Sequence, residues 1–288
     1  MIMKISLIIS TYNRPDTLEL VLMSVAKQII PNSLVLEVLV ADDGSGIETK
    51  SLLAKFQQSF PFKLLHIWHE DTGFRLAAIR NLATSKSNGE YLIFIDGDCL
   101  IAPDYISNQM KLAEKGYFVG GNRVLLSQSY TKSALSDKSI SIATTSVISS
   151  ILARLSGKTN KWLAALRLNP SASWRKEYVQ NWRRPKGCNM ALWRQDCLAV
   201  NGFDEGFAGW GHEDADFLVR LLHAGIQIKD GRFAAPVYHL WHKVNDRSNE
   251  AENFVRLMER VHNKGFIRAA NGIDKYLLDC KNSKDFTK

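Results

Sequence analysis

Cysteine is scarce in this chain and forms no recognisable framework. Among 288 residues only Cys99, Cys188, Cys197 and Cys280 occur, widely spaced and without a CxxC pair. That excludes a disulfide scaffold and a zinc knuckle, and points to reduced thiols in the cytosol. Long apolar runs are missing too. Ile5–Ile9 ends at Ser10-Thr11-Tyr12-Asn13, and no other stretch reaches bilayer-spanning length without charge. The opening Met-Ile-Met-Lys lacks the basic region and small-residue cleavage site of a signal peptide, so the expected location is cytoplasmic. No internal repeat and no clear domain linker interrupts the chain. What is present, 45% hydrophobic and 23% charged residues, describes a soluble globular protein with a large core.

Acidic residues are also short, giving a net charge of +8, which invites a nucleic-acid or acidic-membrane reading. The excess is local. Residues 123–186 hold 12 basic and 2 acidic residues, whereas the remainder holds 25 and 27, a net −2. The basic segment includes Arg154, Lys158, Lys161, Arg167, Arg175, Lys176, Arg183 and Arg184, interleaved with Trp162, Trp174 and Trp182. Three readings compete for it: a solvated helical insertion, a patch for an anionic membrane surface, and a lid over an anionic acceptor. The last two are preferred over the first.

The first 120 residues alternate buried strand patterns with amphipathic helical ones. Strands are expected at Ile5–Ile9, Leu34–Ala41, Leu64–Trp68 and Tyr91–Ile95. Helices are expected at Thr17–Gln28, Ile47–Phe60, Leu76–Ser85 and Pro103–Lys115, the last opening on its proline. Such repetition implies an α/β fold with a mainly parallel sheet flanked by helices. Tyr117–Leu126 reads as one further strand, Ser127–Leu168 as a helical insertion with Ile148, Ile151, Leu152 and Leu155 at helical spacing, and Val237–His239 as a late strand. Asn249–Asn263 is a final helix.

Ligands of such sheets bind beyond the carboxyl ends of the strands. Three strands there deliver polar turns: Ser10–Arg14, Asp42-Asp43-Gly44-Ser45 and Asp96-Gly97-Asp98. One Asp-Gly turn alone means little, but three on one rim are harder to dismiss. Asp96 and Asp98 can share a hard divalent cation that leaves positions for phosphate oxygens. In Gly209-Trp210-Gly211-His212-Glu213-Asp214-Ala215-Asp216, the acids open an amphipathic helix, where its dipole favours them. Asp216 is assigned to a plain i, i+4 pair with Arg220. For Glu213 and Asp214 the Gly-Trp-Gly approach suggests more, since glycines admit a ligand closely and an indole walls a sugar face. His239 and His242, three apart in an extended chain, should point to opposite faces, so only one is expected at a metal. Arg75 and Arg80, five apart, should not share a helix face; one could reach a phosphate or the carboxylate rim while the other caps or packs.

Together these blocks resemble the family 2 nucleotide-sugar glycosyltransferases of the GT-A fold. The likeness runs in order through Ile9–Arg14, Asp42–Ser45, Gly73-Phe74-Arg75 with Arg80-Asn81, and Asp96–Asp98. Gly209–Asp214 is similar to the acceptor-side motif of chondroitin-polymerase-type domains and β1,4-galactosyltransferases, which often have Gly where this chain has His212. Nothing in 127–184 shares the likeness. The resemblance implies a UDP-sugar donor held by Thr11, Asn13, Arg14 and Asp43, with Arg75, Arg80 and Asp96 also on the donor side. It implies Mn2+ or Mg2+ on Asp98 and His239 with Asp96 nearby, and an acceptor site at Trp210, Gly211 and Glu213. Asp214 is expected as the base of an inverting transfer, with Glu213 on an acceptor hydroxyl; the reverse assignment stays open. The implied acceptor is a saccharide or lipid-linked saccharide in bacterial surface polysaccharide or lipopolysaccharide assembly, without nucleic acid. The expected organisation is a GT-A domain over 1–245, divided into a donor half (1–122), a basic helical insertion (123–186) and an acceptor half (187–245). Residues 246–288 form a helical extension. Two rivals are weighed against this. A sugar nucleotidyltransferase would carry a Gly-rich loop after the first strand, and Ser10–Arg14 has no Gly. A nonenzymatic carbohydrate- or nucleic-acid-binding module would not need the acidic set.

Overall fold

The computed structural model describes residues 2–139, 142, 146–166, 168–177, 181–243 and 246–278; Arg167 and Cys280 lie outside them. The strand–helix alternation foreseen from the sequence runs β1 (Met3–Thr11), α1 (Pro15–Ala26), β2 (Leu34–Asp42), α2 (Ile47–Gln57), β3 (Lys63–Trp68), α3 (Leu76–Lys86) and β4 (Tyr91–Asp96). Alternation along each strand feeds two cores. Ile5, Leu7 and Ile9 pack under α1 with Leu18, Val21, Leu22 and Val25. Ile8, Leu39 and Ala41 face α3 through Ala77, Ile79 and Ala83. Covering both faces is what a parallel sheet requires, because every strand then carries apolar residues on both sides.

The chain continues through β5 (Cys99–Ile101), α4 (Tyr105–Leu112), β6 (Tyr117–Gly120), β7 (Arg123–Leu125), α5 (Gln128–Ser136), α6 (Val147–Leu155) and β8 (Asn189–Trp193). It closes with α7 (Arg194–Ala199), α8 (Glu213–His223), β9 (Gln227–Asp230), β10 (Val237–His239) and α9 (Glu250–His262). The large sheet has the order β3-β2-β1-β4-β8-β6-β9, antiparallel only where β8 joins β4 and β6. A second sheet, β5-β10-β7, lies at the strand ends.

Two expectations need correction. α4 starts at Tyr105, and Pro103 sits in the turn before it. Tyr117–Leu126 is two strands in different sheets, β6 and β7. The break falls at Gly120-Gly121, where a Cβ on Gly121 would stand 2.2 Å from the Asn189 amide, so the chain can pass over β8 only without a side chain. The basic segment is also partly buried. Arg175 is wholly buried, its guanidinium donating to the carbonyls of Leu168, Asn169, Asp230 and Arg232 at 2.6–2.9 Å. Burial lowers its pKa, and the four carbonyls replace the water that it loses. Lys138 and Lys176 are paired with Glu19 and Glu114.

Candidate active site

The ends of β1, β2 and β4 and the turn of the small sheet converge on one rim. At its β2 side the polar groups lock one another. Asn13 takes a left-handed φ of 48°, and its Oδ1 accepts from the Gly46 amide at 3.0 Å while its own amide donates to Ser45 Oγ at 2.8 Å. Asparagine tolerates that conformation better than most residues, because its side chain can bond local backbone. Asp43 is buried with both oxygens engaged, one by His69 Nε2 at 2.6 Å and one by the Arg75 amide at 2.8 Å. The Arg75 side chain turns back to the Glu70 carbonyl. Exposed Tyr12 and Trp68 flank this cradle, Trp68 through an indole bond to the Ser45 carbonyl at 3.1 Å. Thr11 Oγ1 is buried without a hydrogen-bond partner in the protein.

The Asp96–Asp98 turn lies close against β1: a Cβ on Gly97 would stand 2.9 Å from the Ser10 carbonyl. Arg80 is buried beneath it. Its guanidinium donates to Ser10 Oγ at 3.1 Å and Asp96 Oδ1 at 2.9 Å, and its Nη1 lies 3.7 Å from Glu213 Oε1. Of the two arginines weighed, Arg80 therefore reaches the carboxylate rim, and Arg75 binds loop backbone. Asp98 faces the other way, toward Arg14 Nη1 at 3.3 Å, His239 Nε2 at 3.5 Å and His242 Nε2 at 3.3 Å.

The two histidines correct the expectation of opposite faces. β10 ends at His239, so the alternation that would separate the side chains stops there, and the rings stand 5.2 Å apart on the same carboxylate. Asp98, Cys99 and His239 also present ligand atoms within 4.8 Å of one another. Register explains the grouping, because His239 pairs with Cys99 across the antiparallel β10–β5 ladder.

The acid pair opens α8. Gly209 and Gly211 take φ of 73° and 110°, and His212 takes 72°. His212 thus occupies a backbone conformation that suits glycine, and its ring rests 5.4 Å from Phe254 of α9. Trp210 is capped by the Arg247 guanidinium at 4.5 Å, a cation–π arrangement. α9 braces the loop from below: Asn253 donates to the Ala208 carbonyl at 3.0 Å, and Arg256 to that of Gly206. Glu213 is buried, and desolvation pushes its pKa up to about 7, helped by the Asp214 charge and opposed by Arg80. Half-buried Asp214 accepts from the Gly187 amide at 2.8 Å and the Ala215 amide at 2.7 Å. Gly187 approaches closely: a Cβ there would stand 3.0 Å from Asp214 Cβ and crowd that side chain. Asp216 pairs with Arg220 at 2.8 Å as expected, but with both side chains fully buried.

Sequence reasoning missed His242, Gly187, His69 and Tyr12. His242 was legible from the strand end expected at His239, because strand alternation no longer separates the two rings beyond it. Gly187 and His69 reach the site only through tertiary packing, and no local pattern marks them.

Residues 6–179 match the profile of Glycosyl transferase family 2, and residues 170–243 that of the N-terminal domain of galactosyltransferase. The chain is 26% identical to a chondroitin synthase of Pasteurella multocida over 82% of its own length but 24% of that protein's. It is 28% identical to a validoxylamine A glucosyltransferase of Streptomyces hygroscopicus subsp. limoneus over 79% of this chain and 50% of the relative. It therefore spans a half or less of these two curated relatives. Among solved structures, S. aureus TarS 1-349 in complex with UDP superposes with a TM-score of 0.60 at 17% identity, covering 97% of this chain and 71% of that one. GalNAc-T7 with UDP, GalNAc and Mn2+ gives 0.60 at 15% identity, over 90% and 48%. These likenesses show the GT-A fold expected from the motifs. The match over residues 6–179 covers more than half of the 288 residues, and the chain belongs to glycosyl transferase family 2.

Proposed function

We propose that this chain transfers a hexose or N-acetylhexosamine from a UDP-sugar to a saccharide acceptor, with inversion, using a divalent metal ion. The observation carrying this reading is Arg80, which joins the Asp96–Asp98 turn to the acid pair across the strand ends. UDP and UDP-GlcNAc bound to TarS 1-349, and Mn2+ bound to GalNAc-T7, support the donor and metal classes. Residues 1–122 would serve the donor and 187–245 the acceptor, with 123–186 inserted between them and α9, within the 246–288 extension, bracing the acceptor loop.

The residues present fit a metal. Two ligand atoms about 2.1 Å from one small divalent ion, at right angles, lie about 3 Å apart. Asp98 stands 3.5 and 3.3 Å from the two imidazoles, and one carboxylate with two imidazoles is a donor set that favours Mn2+ over Mg2+. Asp98, His239 and His242 would hold it, with Asp96 beside them. When bound, it supplies positive charge to the departing diphosphate.

The protein groups do the rest. Thr11, Asn13 and Asp43 line the nucleotide cradle, with Tyr12 and Trp68 as apolar walls. Arg14 faces Asp98 in the free protein and would turn to phosphate oxygens in the complex. Asp214, oriented by the Gly187 and Ala215 amides, takes the proton from the acceptor hydroxyl as that oxygen attacks the anomeric carbon. Glu213 accepts a hydrogen bond from the acceptor, and Trp210 lies under the sugar face. A single displacement of this kind converts an α-linked donor into a β-linked product. We place the reaction in the cytoplasm, in surface polysaccharide or lipopolysaccharide assembly. The test is UDP release from a panel of UDP-sugars, with and without EDTA. Metal-dependent release with one donor is expected, and release that is indifferent to EDTA would remove the metal from the reading.

A further inference from the structure

One surface is unused by donor or acceptor chemistry. α6 turns Ile148, Leu152 and Leu155 to solvent at 73, 60 and 78% exposure. Spacings of four and three put them on one face, the kind of stripe that a globular helix normally buries. The helix is properly begun, with Ser146 Oγ accepting from the Ser149 amide, and its buried residue is Ser150. Trp162, Leu163 and Leu166, in and beside the 3-10 turn next to α6, are also exposed.

The charge along the segment that carries this stripe has one sign. Between Lys138 and Glu177 the sequence contains no acidic residue, while Arg154, Lys158 and Lys161 are exposed beside the apolar face. A second copy of the chain would bring like charges together. A nucleic acid would engage the cations but leave Ile148, Leu152 and Leu155 in water. Apolar residues, tryptophan and cations on one short helical segment suit an anionic bilayer interface, which takes the first two into the headgroup boundary and attracts the third.

The surface is tied to the candidate active site. Ser127 donates to the Lys158 carbonyl at 2.8 Å, Leu126 to the His239 carbonyl at 3.0 Å, and Trp241 to Thr131 Oγ1 of α5 at 2.9 Å. The insertion is therefore anchored at His239 and just beyond it, at Trp241.

We propose that the exposed face of α6, with Trp162 and the 3-10 turn, docks this protein on a bilayer containing anionic phospholipid. Docking presents the His239 end of the rim to an acceptor carried on that membrane. The bilayer contact stands on the surface alone, and only the delivery of acceptor rests on the transferase reading.

The test is co-sedimentation of the full chain with vesicles of phosphatidylcholine, or of phosphatidylcholine mixed with phosphatidylglycerol. Recovery with the mixed vesicles should exceed that with neutral ones by about tenfold or more and fall as salt is raised. The triple variant Ile148→Ser/Leu152→Ser/Leu155→Ser should lose that binding, and Arg154→Ala/Lys158→Ala/Lys161→Ala should lose the preference for anionic lipid. Both should keep wild-type metal-dependent UDP release, which shows that they fold. Equal recovery with the two vesicle types overturns the proposal, as does undiminished binding by the serine triple. Sedimentation velocity showing a dimer broken by the serine triple would assign the face to a second copy instead. Absent UDP release with vesicle binding intact would count against the transferase reading and leave the docking surface standing.

Discussion

Glu213 and Asp214 are adjacent in sequence but occupy different surroundings, and that difference separates the roles proposed for them. Asp214 is half-buried and held by two backbone amides, so Asp214→Asn should keep its position while removing its proton affinity. Transfer should fall by about 10³-fold, within the range for loss of a general base, with UDP affinity near wild type by calorimetry. Full transfer activity in that variant would remove Asp214 as the base. Glu213 is the group with a stability signature. Its pKa of about 7 in the folded chain lies above the ordinary 4.5, so the folded state holds the proton more tightly. Stability from this group is fully present below about pH 4.5 and is lost as pH rises through about 7. Glu213→Gln should therefore melt above wild type at pH 8, with the gap closing by pH 5; a gap independent of pH would show that Glu213 is not the titrating group. The sequence disclosed both acids through their Gly-Trp-Gly approach. It could not disclose which is buried, because α8 packs against α9 and Glu213 lies beside Arg80, both distant along the chain.

Elements follow the same division between local and tertiary causes. α1 was legible because Leu18, Val21, Leu22 and Val25 form one apolar face, and the structure buries all four. β8 was not. Asn189–Trp193 is a run of five residues, too short to declare its own period, and it becomes a strand by pairing antiparallel to β4 and β6. Period-two reasoning on His239 and His242 failed for a related reason: it assumed a strand that β10 does not continue. α8 and α9 show what packing adds to a pattern. Asp216, at the start of α8, bonds Arg220 and stands 3.7 Å from Arg260 of α9, which also pairs with Asp204 at 3.1 Å. These charges are largely removed from water, so removing one strands its partners. Asp216→Ala should cost about 3–5 kcal/mol, measured by urea denaturation, because Arg220 is left buried without its carboxylate. A loss below about 1 kcal/mol would mean that water replaces the carboxylate, as at an exposed pair.

At the scale of the whole molecule, the +8 charge is the sum of a near-neutral framework and one basic insertion, and the candidate site lies where they meet. The groups proposed for the donor come from the ends of β1, β2 and β4 and from α3, whereas His239, His242, Glu213 and Asp214 come from the second half of the chain. The free protein holds these carboxylates with its own cations, Asp98 with Arg14 and Asp96 with Arg80. A metal and a nucleotide bound together would link both halves of the chain and satisfy Asp98 better than a 3.3 Å arginine contact does. Ligands that bind only the folded state stabilise it by mass action, by about 2.7 kcal/mol at a hundredfold excess over Kd. UDP with Mn2+ should therefore raise the melting temperature by several degrees, more than either alone and more than UDP with Mg2+. EDTA should abolish the excess. His239→Ala and His242→Ala should each reduce it, because both imidazoles face the same carboxylate. A UDP shift of equal size with Mn2+, with EDTA and in both variants would place the nucleotide away from the Asp98 cluster, and with it the reading that joins the two halves in one reaction.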